Sequence, residues 1–449
     1  MKTSLSATAT RAVFARLKKA NEAFARRYPG ETGRRQPVHV VYGGAHLFKS
    51  DLAAKLGIAA RRVLEEYAPN AQVFAEAVGL PERLADPVYT RVVNKLSREP
   101  VEDFRIDFED GYGIRPDAEE DGHAGSAAAE VARGMAAGTL PPFIGIRIKP
   151  LSEDLVGRSL RTLDIFITTL AEQTRRRLPD NFFITLPKVT LPEQVAAFAE
   201  ILTLLETRTR LGRGSLKMEL MIETTQSILN DRGESNLPLL LAAARGRCVA
   251  AHFGTYDYTA SCQITAAHQH MTHPACDFAK HMMQVAFGGR GIWLSDGGTN
   301  IMPVGPHRPA KEGAALTPQQ IQENRAVVHR AWKLHYDHIQ HSLANGFYQG
   351  WDLHPAQLPT RYAAVCAFFL DGFEPAAERL RNFVAKAARA TLVGDVFDDA
   401  ATGQGLLNYF LRAINCGAVT QHEALSRTGL TLGELRSGSF VKILKSRTK

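Results

Sequence analysis

The sequence predicts an α/β chain whose central part closes into a parallel (β/α)8 barrel, a TIM barrel. Three observations lead there. Short apolar or β-branched runs alternate with helical stretches eight times between residues 37 and 373, the order expected of a parallel sheet. One run, Met218, Leu220, Met221 and Ile222, is nearly continuous, as suits a strand covered on both faces. Polar and charged residues cluster where the runs stop, and barrel enzymes place their chemistry at the C-terminal strand ends. An open doubly wound sheet allows the same alternation, yet eight strict repeats favour closure.

Residues 1–36 read as a helical lead-in, 37–373 as the barrel and 374–449 as a helical extension. The opening stretch has no acidic residue before Glu22 and is rich in Ser, Thr, Ala and Arg, which resembles a transit peptide in composition. An amphipathic helix with Val13, Phe14, Leu17 and Phe24 on one face is the preferred reading. Strand one is Pro37–Gly44, and a helix from about Asp51 to Tyr67 leads into further helical sequence up to about Arg98. Strand two is Phe104–Glu109, followed by a helix over Asp117–Ala137. Strand three, Phe143–Lys149, is stopped by Pro150, and a helix covers roughly Leu155–Arg176. Strand four, Phe182–Leu186, ends in Pro187-Lys188, and Thr190 or Pro192 opens the next helix. Strand five lies in Leu216–Ser227 and carries Glu223. Strand six lies in Val249–Ser261, with Asp257 placed at its end, and a helix follows over about Pro274–Phe287. Strand seven is Gly291–Leu294, and a long helix runs near Pro318–Ala344. Strand eight is Gln349–Leu353, followed by His354 and an apolar helix over Tyr362–Leu370. Within the extension, Asp395–Gly405 reads as an acidic, glycine-bearing loop.

Composition narrows the function. Of 449 residues, 45% are hydrophobic and 22% charged, which is ordinary for a globular chain. No run approaches a membrane span of about 18–20 residues, so no membrane association is expected. The net charge of +8 is spread without a Lys/Arg block, which argues against nucleic acid and suits a small anionic substrate. Five cysteines, far apart and without CxxC, suit free thiols in a reducing, cytoplasmic setting. Cys262 and Cys276 flank His268, His270 and His273, but the spacing matches no common zinc pattern. Neither GxGxxG nor GxxxxGK[ST] opens a helix, which weakens nucleotide-binding readings.

The residues at the strand exits carry the chemistry. Glu223 and Asp257, on successive units, could chelate one divalent cation, Mg²⁺ (or Mn²⁺), which commonly takes one or two protein carboxylates. Either alone also reads as a helix cap or surface group. Arg147 offers a planar double donor to a carboxylate or an enolate oxygen, or an ion pair to a neighbouring strand's acid. Gly254 and Thr255 are small enough for backbone N–H groups to approach a substrate. Glu109 and Asp110 are candidates for acid/base work or for holding water. Lys188 reads as a substrate contact or an ion-pair partner. Asp107, Asp296 and His354 also stand at exits, with His354 given a capping role.

The stretches IDFED (106–110), GIRIKP (145–150), ITLPKV (184–189), MIETTQSI (221–228), HFGTYDYTAS (252–261) and GWDLHPAQ (350–357) occur in an order that resembles the HpcH/HpaI aldolase and citrate lyase beta-subunit family. That family belongs to the phosphoenolpyruvate/pyruvate barrel superfamily. The resemblance implies a divalent ion on Glu223 and Asp257, and a 2-oxo acid or acyl substrate against Arg147 and the backbone of Gly254–Thr255. The Glu109-Asp110 pair resembles the citrate lyase branch, since the aldolase branch tends to have histidine at the position of Asp110. The chain is longer than typical members, its first strand carries VYGGAHLF (41–48) where the family opens differently, and its C-terminal region is extended, so a coenzyme A thioester substrate is not carried over by the resemblance. Relatives are often trimers or hexamers, which implies a homo-oligomer.

The expectation is a Mg²⁺-dependent carbon–carbon lyase or aldolase acting on a hydroxy or oxo acid, or its acyl thioester, through a metal-stabilised enolate. Three rivals stand beside it: phosphoryl transfer with phosphoenolpyruvate, a Schiff-base aldolase using Lys149 or Lys188, and a non-catalytic accessory subunit.

Overall fold

The computed structural model describes residues 4–30, 34–309, 315–385, 391–393, 396–398, 400–437 and 439–447. At its centre eight parallel strands form a closed barrel and neighbour one another in chain order. They are β1 (His39–Gly44), β2 (Asp103–Asp107), β3 (Phe143–Arg147), β4 (Phe182–Leu186), β5 (Lys217–Ile222), β6 (Cys248–Phe253), β7 (Trp293–Gly298) and β8 (Gln349–Asp352). β8 returns to β1, with Gly350 opposite His39 and Asp352 opposite Val41, so the sheet has no open edge. Helices cover the outside, among them Asp117–Ala137, Val156–Gln173, Pro192–Thr209, Pro318–Ala344 and Leu358–Asp371.

Three expectations change. β7 extends to Gly298, so Asp296 lies inside a strand, fully buried, where Lys280 Nζ (3.1 Å) and Ser342 Oγ (2.6 Å) donate to it. β6 stops at Phe253, so Asp257 sits in the first turn of the short helix Thr255–Ser261 rather than at a strand end. The C-terminal region is not wholly helical: β9 (Thr391–Val393) and β10 (Val396–Asp398) pair antiparallel. Of the segment read as a loop, Asp395 and Asp399 lie outside the described residues, and a helix begins at Ala400. Buried Leu380, Phe383, Leu407 and Phe410 share one continuous core with the barrel's helices.

The N-terminal helix, Ala7–Arg27, forms with Ser6 as its cap, and Val13, Phe14, Leu17 and Phe24 on it are exposed. Among the described residues no helix is long and apolar enough to cross a membrane. All five cysteines are free.

The barrel interior is layered. Phe143, Phe183, Ala250 and Trp293 form a buried cluster of their own, with ring centroids 5.8–6.3 Å apart and Arg34 stacked 4.9 Å over Trp293. A second layer is charged. Arg105 pairs with Asp103, donates to Thr185 Oγ1 (3.0 Å) and lies 3.4 Å from Glu219, while Thr185 donates to Glu219 Oε2 (2.6 Å). Thr185 and Glu219 stand opposite each other on the neighbouring strands β4 and β5, and Arg105 reaches them from β2 across Gly145 of β3. Burial pushes the Asp103 carboxyl up to about 6 against the pull of Arg105.

A second buried network locks β1 to β8 from outside the sheet. Asp352 takes a bond from His39 Nδ1 (2.7 Å), lies 3.1 Å from His335 Nε2 and receives Arg361 through Nε (3.0 Å) and Nη2 (2.8 Å). Removing Asp352 would leave a buried guanidinium unmatched, which costs about 3–5 kcal/mol. Asp352→Ala is therefore expected to lose that much stability in urea unfolding. A loss below about 1 kcal/mol would mean the closure does not depend on this network.

Candidate functional site

Of the acids predicted at the strand exits, Asp107, Glu109, Asp110, Glu223 and Asp257 gather at one end of the barrel, and Asp296 does not. Glu223 follows β5 directly and is almost fully buried. Its Oε1 accepts the backbone N–H of Lys188 at 2.6 Å. Gly254 follows β6 directly, and a Cβ there would stand 2.4 Å from Glu223 Oε2, so the carboxylate occupies space that any other residue would fill. Asp257, three residues on, has its side chain 42% exposed at the mouth.

Lys188 joins the acids. Its Nζ lies 2.5 Å from Glu109 Oε1, 3.3 Å from Asp257 Oδ2 and 3.5 Å from Asp110 Oδ2. The residue has φ +50°, a left-handed conformation uncommon for a residue with a Cβ. Arg147, at the end of β3, is buried and bonded along one edge to both oxygens of Asp107, Nε to Oδ1 (2.7 Å) and Nη2 to Oδ2 (2.5 Å). Its Nη1 faces Glu109 Oε2 at 2.9 Å and Met221 Sδ at 3.8 Å. The ion-pair role of Arg147 is thus realised through Asp107, and Nη1 is the corner turned to the acid cluster.

Electrostatics set the character of the site. Five carboxylates (Asp107, Glu109, Asp110, Glu223, Asp257) face two cations (Arg147, Lys188), an excess of three negative charges when all are ionised. Burial first, and then the charge of Asp257, pushes Glu223 up to about 8 against the pull of Lys188. Burial and neighbouring Asp110 also raise Glu109. For Asp110 burial acts upward, but Arg147 and Lys188 prevail and hold it below its ordinary value. Burial opposes the charge on Lys188, yet Glu223 and Glu109 hold its pKa above the ordinary lysine value.

These residues fit a divalent cation. The donors are hard oxygens, the cluster is short of positive charge, and the surroundings of Glu223 disfavour its ionised form, which a bound cation would favour. Glu109 Oε2 is buried, with the Arg147 guanidinium 2.9 Å away as its counter-ion. Among the described residues no group of three or more His, Cys, Asp and Glu side chains is ready-made for a metal, but Mg²⁺ commonly takes only one or two protein carboxylates.

Other expected residues are held in contacts of their own. His354 Nδ1 accepts from Ala356 N (3.1 Å), a cap, and His273 caps Pro274–Phe287 in the same way. Lys149 is tied to Phe108 O and Glu120 Oε2, both at 2.7 Å. Thr255 is buried, with Oγ1 unpartnered, against Gly297. The aromatic walls escaped the sequence reading: Tyr42 and Trp351 stack on Arg147, with their ring centroids 4.8 and 5.5 Å from its Cζ. Sorting strand ends by charge alone passed over both rings, which lie within β1 and β8.

An eight-stranded closed parallel barrel with acids and an arginine converging at its C-terminal strand ends defines the class of (β/α)8 barrel proteins. Residues 17–443 match the family described as Domain of unknown function (DUF6986), and the chain belongs to that family. Among solved structures it is similar to a citrate lyase from Burkholderia xenovorans LB400, with a TM-score of 0.55 and 16% identity over 88% of this chain and 97% of that one. It also matches Haloferax volcanii malate synthase in a magnesium/glyoxylate complex, with a TM-score of 0.43 and 15% identity over 89% and 97% of the two chains. At such identities the likeness is one of fold. No curated protein matches the chain by sequence.

The raised Glu223 carboxyl predicts a pH dependence. Its pKa rises from an ordinary 4.5 to about 8 on folding, so its contribution to stability is full below about pH 4.5 and is lost as pH rises through about 8. Metal-free protein should lose stability between about pH 5 and 8 in thermal melts in EDTA, and Glu223→Gln should flatten that slope. Equal slopes in the two proteins would contradict the assignment.

Proposed function

We propose that this protein is a divalent-metal-dependent carbon–carbon lyase or aldolase acting on a small hydroxy or oxo acid, or on its acyl thioester. The observation that carries the reading is the buried Glu223 beside Asp257, in a cluster whose carboxylates outnumber its cations. The motif resemblance to the HpcH/HpaI aldolase and citrate lyase beta-subunit family supports it, as does a fold shared with a citrate lyase. Glu223 and Asp257 would hold Mg²⁺ or Mn²⁺, which when bound supplies chelation of the substrate's oxygens and stabilises enolate charge.

The chain's own residues do the rest. Arg147 Nη1, held in place by Asp107 and by the Tyr42 and Trp351 rings, donates to the substrate carboxylate or to the developing oxyanion. Glu109, with a raised pKa beside Arg147 and Lys188, exchanges a proton with the substrate carbon or with water, with Asp110 at the mouth. Gly254 and Thr255 bring backbone close to the bound acid. Lys188 is a poor imine former, because its acids keep it protonated and a Schiff-base lysine needs a lowered pKa. A homo-oligomer, trimeric or hexameric, in the cytoplasm belongs to the same reading, and exposed Phe14, Leu17 and Phe24 support association of copies.

Thermal melts of EDTA-stripped protein test the proposal. Mg²⁺ or Mn²⁺ at ~100 Kd should add about 2.7 kcal/mol. Pyruvate, oxaloacetate or glyoxylate should add a further, metal-dependent shift, and Glu223→Ala should lose both. No metal shift at any concentration would overturn the reading. A shift with phosphoenolpyruvate alone would redirect it to phosphoryl transfer.

A further inference from the structure

We propose that the Lys188 ammonium is a tethered cation that stands in for the divalent ion, so that metal entry and withdrawal of this lysine are a single exchange. The inference rests on the metal reading above and adds a residue that sets metal affinity.

The geometry places Lys188 on both carboxylates assigned to the metal. Its backbone N–H holds Glu223 Oε1 at 2.6 Å, and its Nζ lies 3.3 Å from Asp257 Oδ2. The same Nζ reaches Glu109 at 2.5 Å and Asp110 at 3.5 Å. An ammonium has three N–H donors, and here three carboxylates from two different loops converge on one. That is the coordination of a cation site filled by a side chain.

Asp257 cannot serve both cations at close range. A divalent ion on Asp257 oxygen would lie within a few ångströms of the ammonium, where like charges repel strongly in a partly buried setting. The lysine is able to leave. Its stem is flexible, it acts as a point charge rather than a shaped donor, and its side chain is 31% exposed. Its backbone, anchored to Glu223, need not move. Arg147 could not make this exchange, since it is buried and bonded along one edge to Asp107. Of the two cations at the site, one is therefore fixed and one exchangeable. Withdrawal of Lys188 would also release Glu109 from its ammonium as the metal binds, coupling metal loading to the freeing of the proposed proton carrier.

Two measurements test the exchange. The first titrates Mn²⁺ into EDTA-stripped wild type and Lys188→Met, reading free Mn²⁺ by electron paramagnetic resonance, with circular dichroism to confirm folding. Removing the competitor should tighten Mn²⁺ binding by about tenfold or more. The second uses wild type alone: acylation of Lys188 by a small amine reagent, read by mass spectrometry, should speed up when Mn²⁺ is added. Equal or weaker Mn²⁺ binding in Lys188→Met, or unchanged or slower acylation with Mn²⁺ bound, would overturn the exchange while leaving the metal site standing. No Mn²⁺ binding by either protein would overturn the metal reading, and the exchange with it.

Discussion

Carboxylates of like charge brought together at one barrel end repel one another, and much of the upper barrel is arranged around containing that repulsion. Asp107 is held by Arg147 and by two backbone N–H groups, those of Glu109 and Gly111 at 3.0 and 2.7 Å. Glu109, Asp110 and Asp257 share one ammonium. Glu223 is the acid left with least compensation, since a single backbone N–H is its one hydrogen-bond donor among the described contacts. A folded chain keeps so poorly compensated a buried carboxyl only where the surrounding structure over-determines it, a pattern that recurs at functional sites.

The layers below the site explain how that end stays rigid. Arg147 is clamped between a carboxylate and two aromatic faces, and cation–π contact with a desolvated guanidinium is worth about 2 kcal/mol. Beneath it the Arg105, Thr185 and Glu219 contacts tie β2, β4 and β5 together through side chains. On the opposite side of the wall, Asp352 binds β8 to β1 and to two outer helices. The strand ends that carry the acids are thus cross-linked from inside and outside the sheet.

Much of this was legible in the sequence, and the failures have physical causes. All eight barrel strands stood out because parallel strands covered on both faces are apolar along their length, as in Ile144, Ile146 and Ile184. Strand ends were harder. β7 carries Ser295, Asp296 and two glycines inside the barrel wall, so polarity there marked the interior rather than an exit. Asp257 was displaced from its strand because a short helix and a strand tail look alike over seven residues. The candidate acids, Arg147 and Lys188 do converge, since position on a strand exit decides that. Tyr42, Trp351, Arg105 and Glu219 were passed over because a strand's apolar or charged character does not tell which residues meet across a barrel. The β9–β10 pair was missed, since strands of three residues are too short for a period to register.

The charged layer in the barrel's middle bears on how the protein meets heat. Hydration of ions becomes less favourable as temperature rises, so the cost of burying them falls, whereas stabilisation from apolar burial levels off. The Asp103, Arg105 and Glu219 group therefore gains on the Phe143, Phe183 and Trp293 layer on warming. The two layers of one interior thus respond differently to temperature, and the end that bears the acids rests on the layer that weathers heating better.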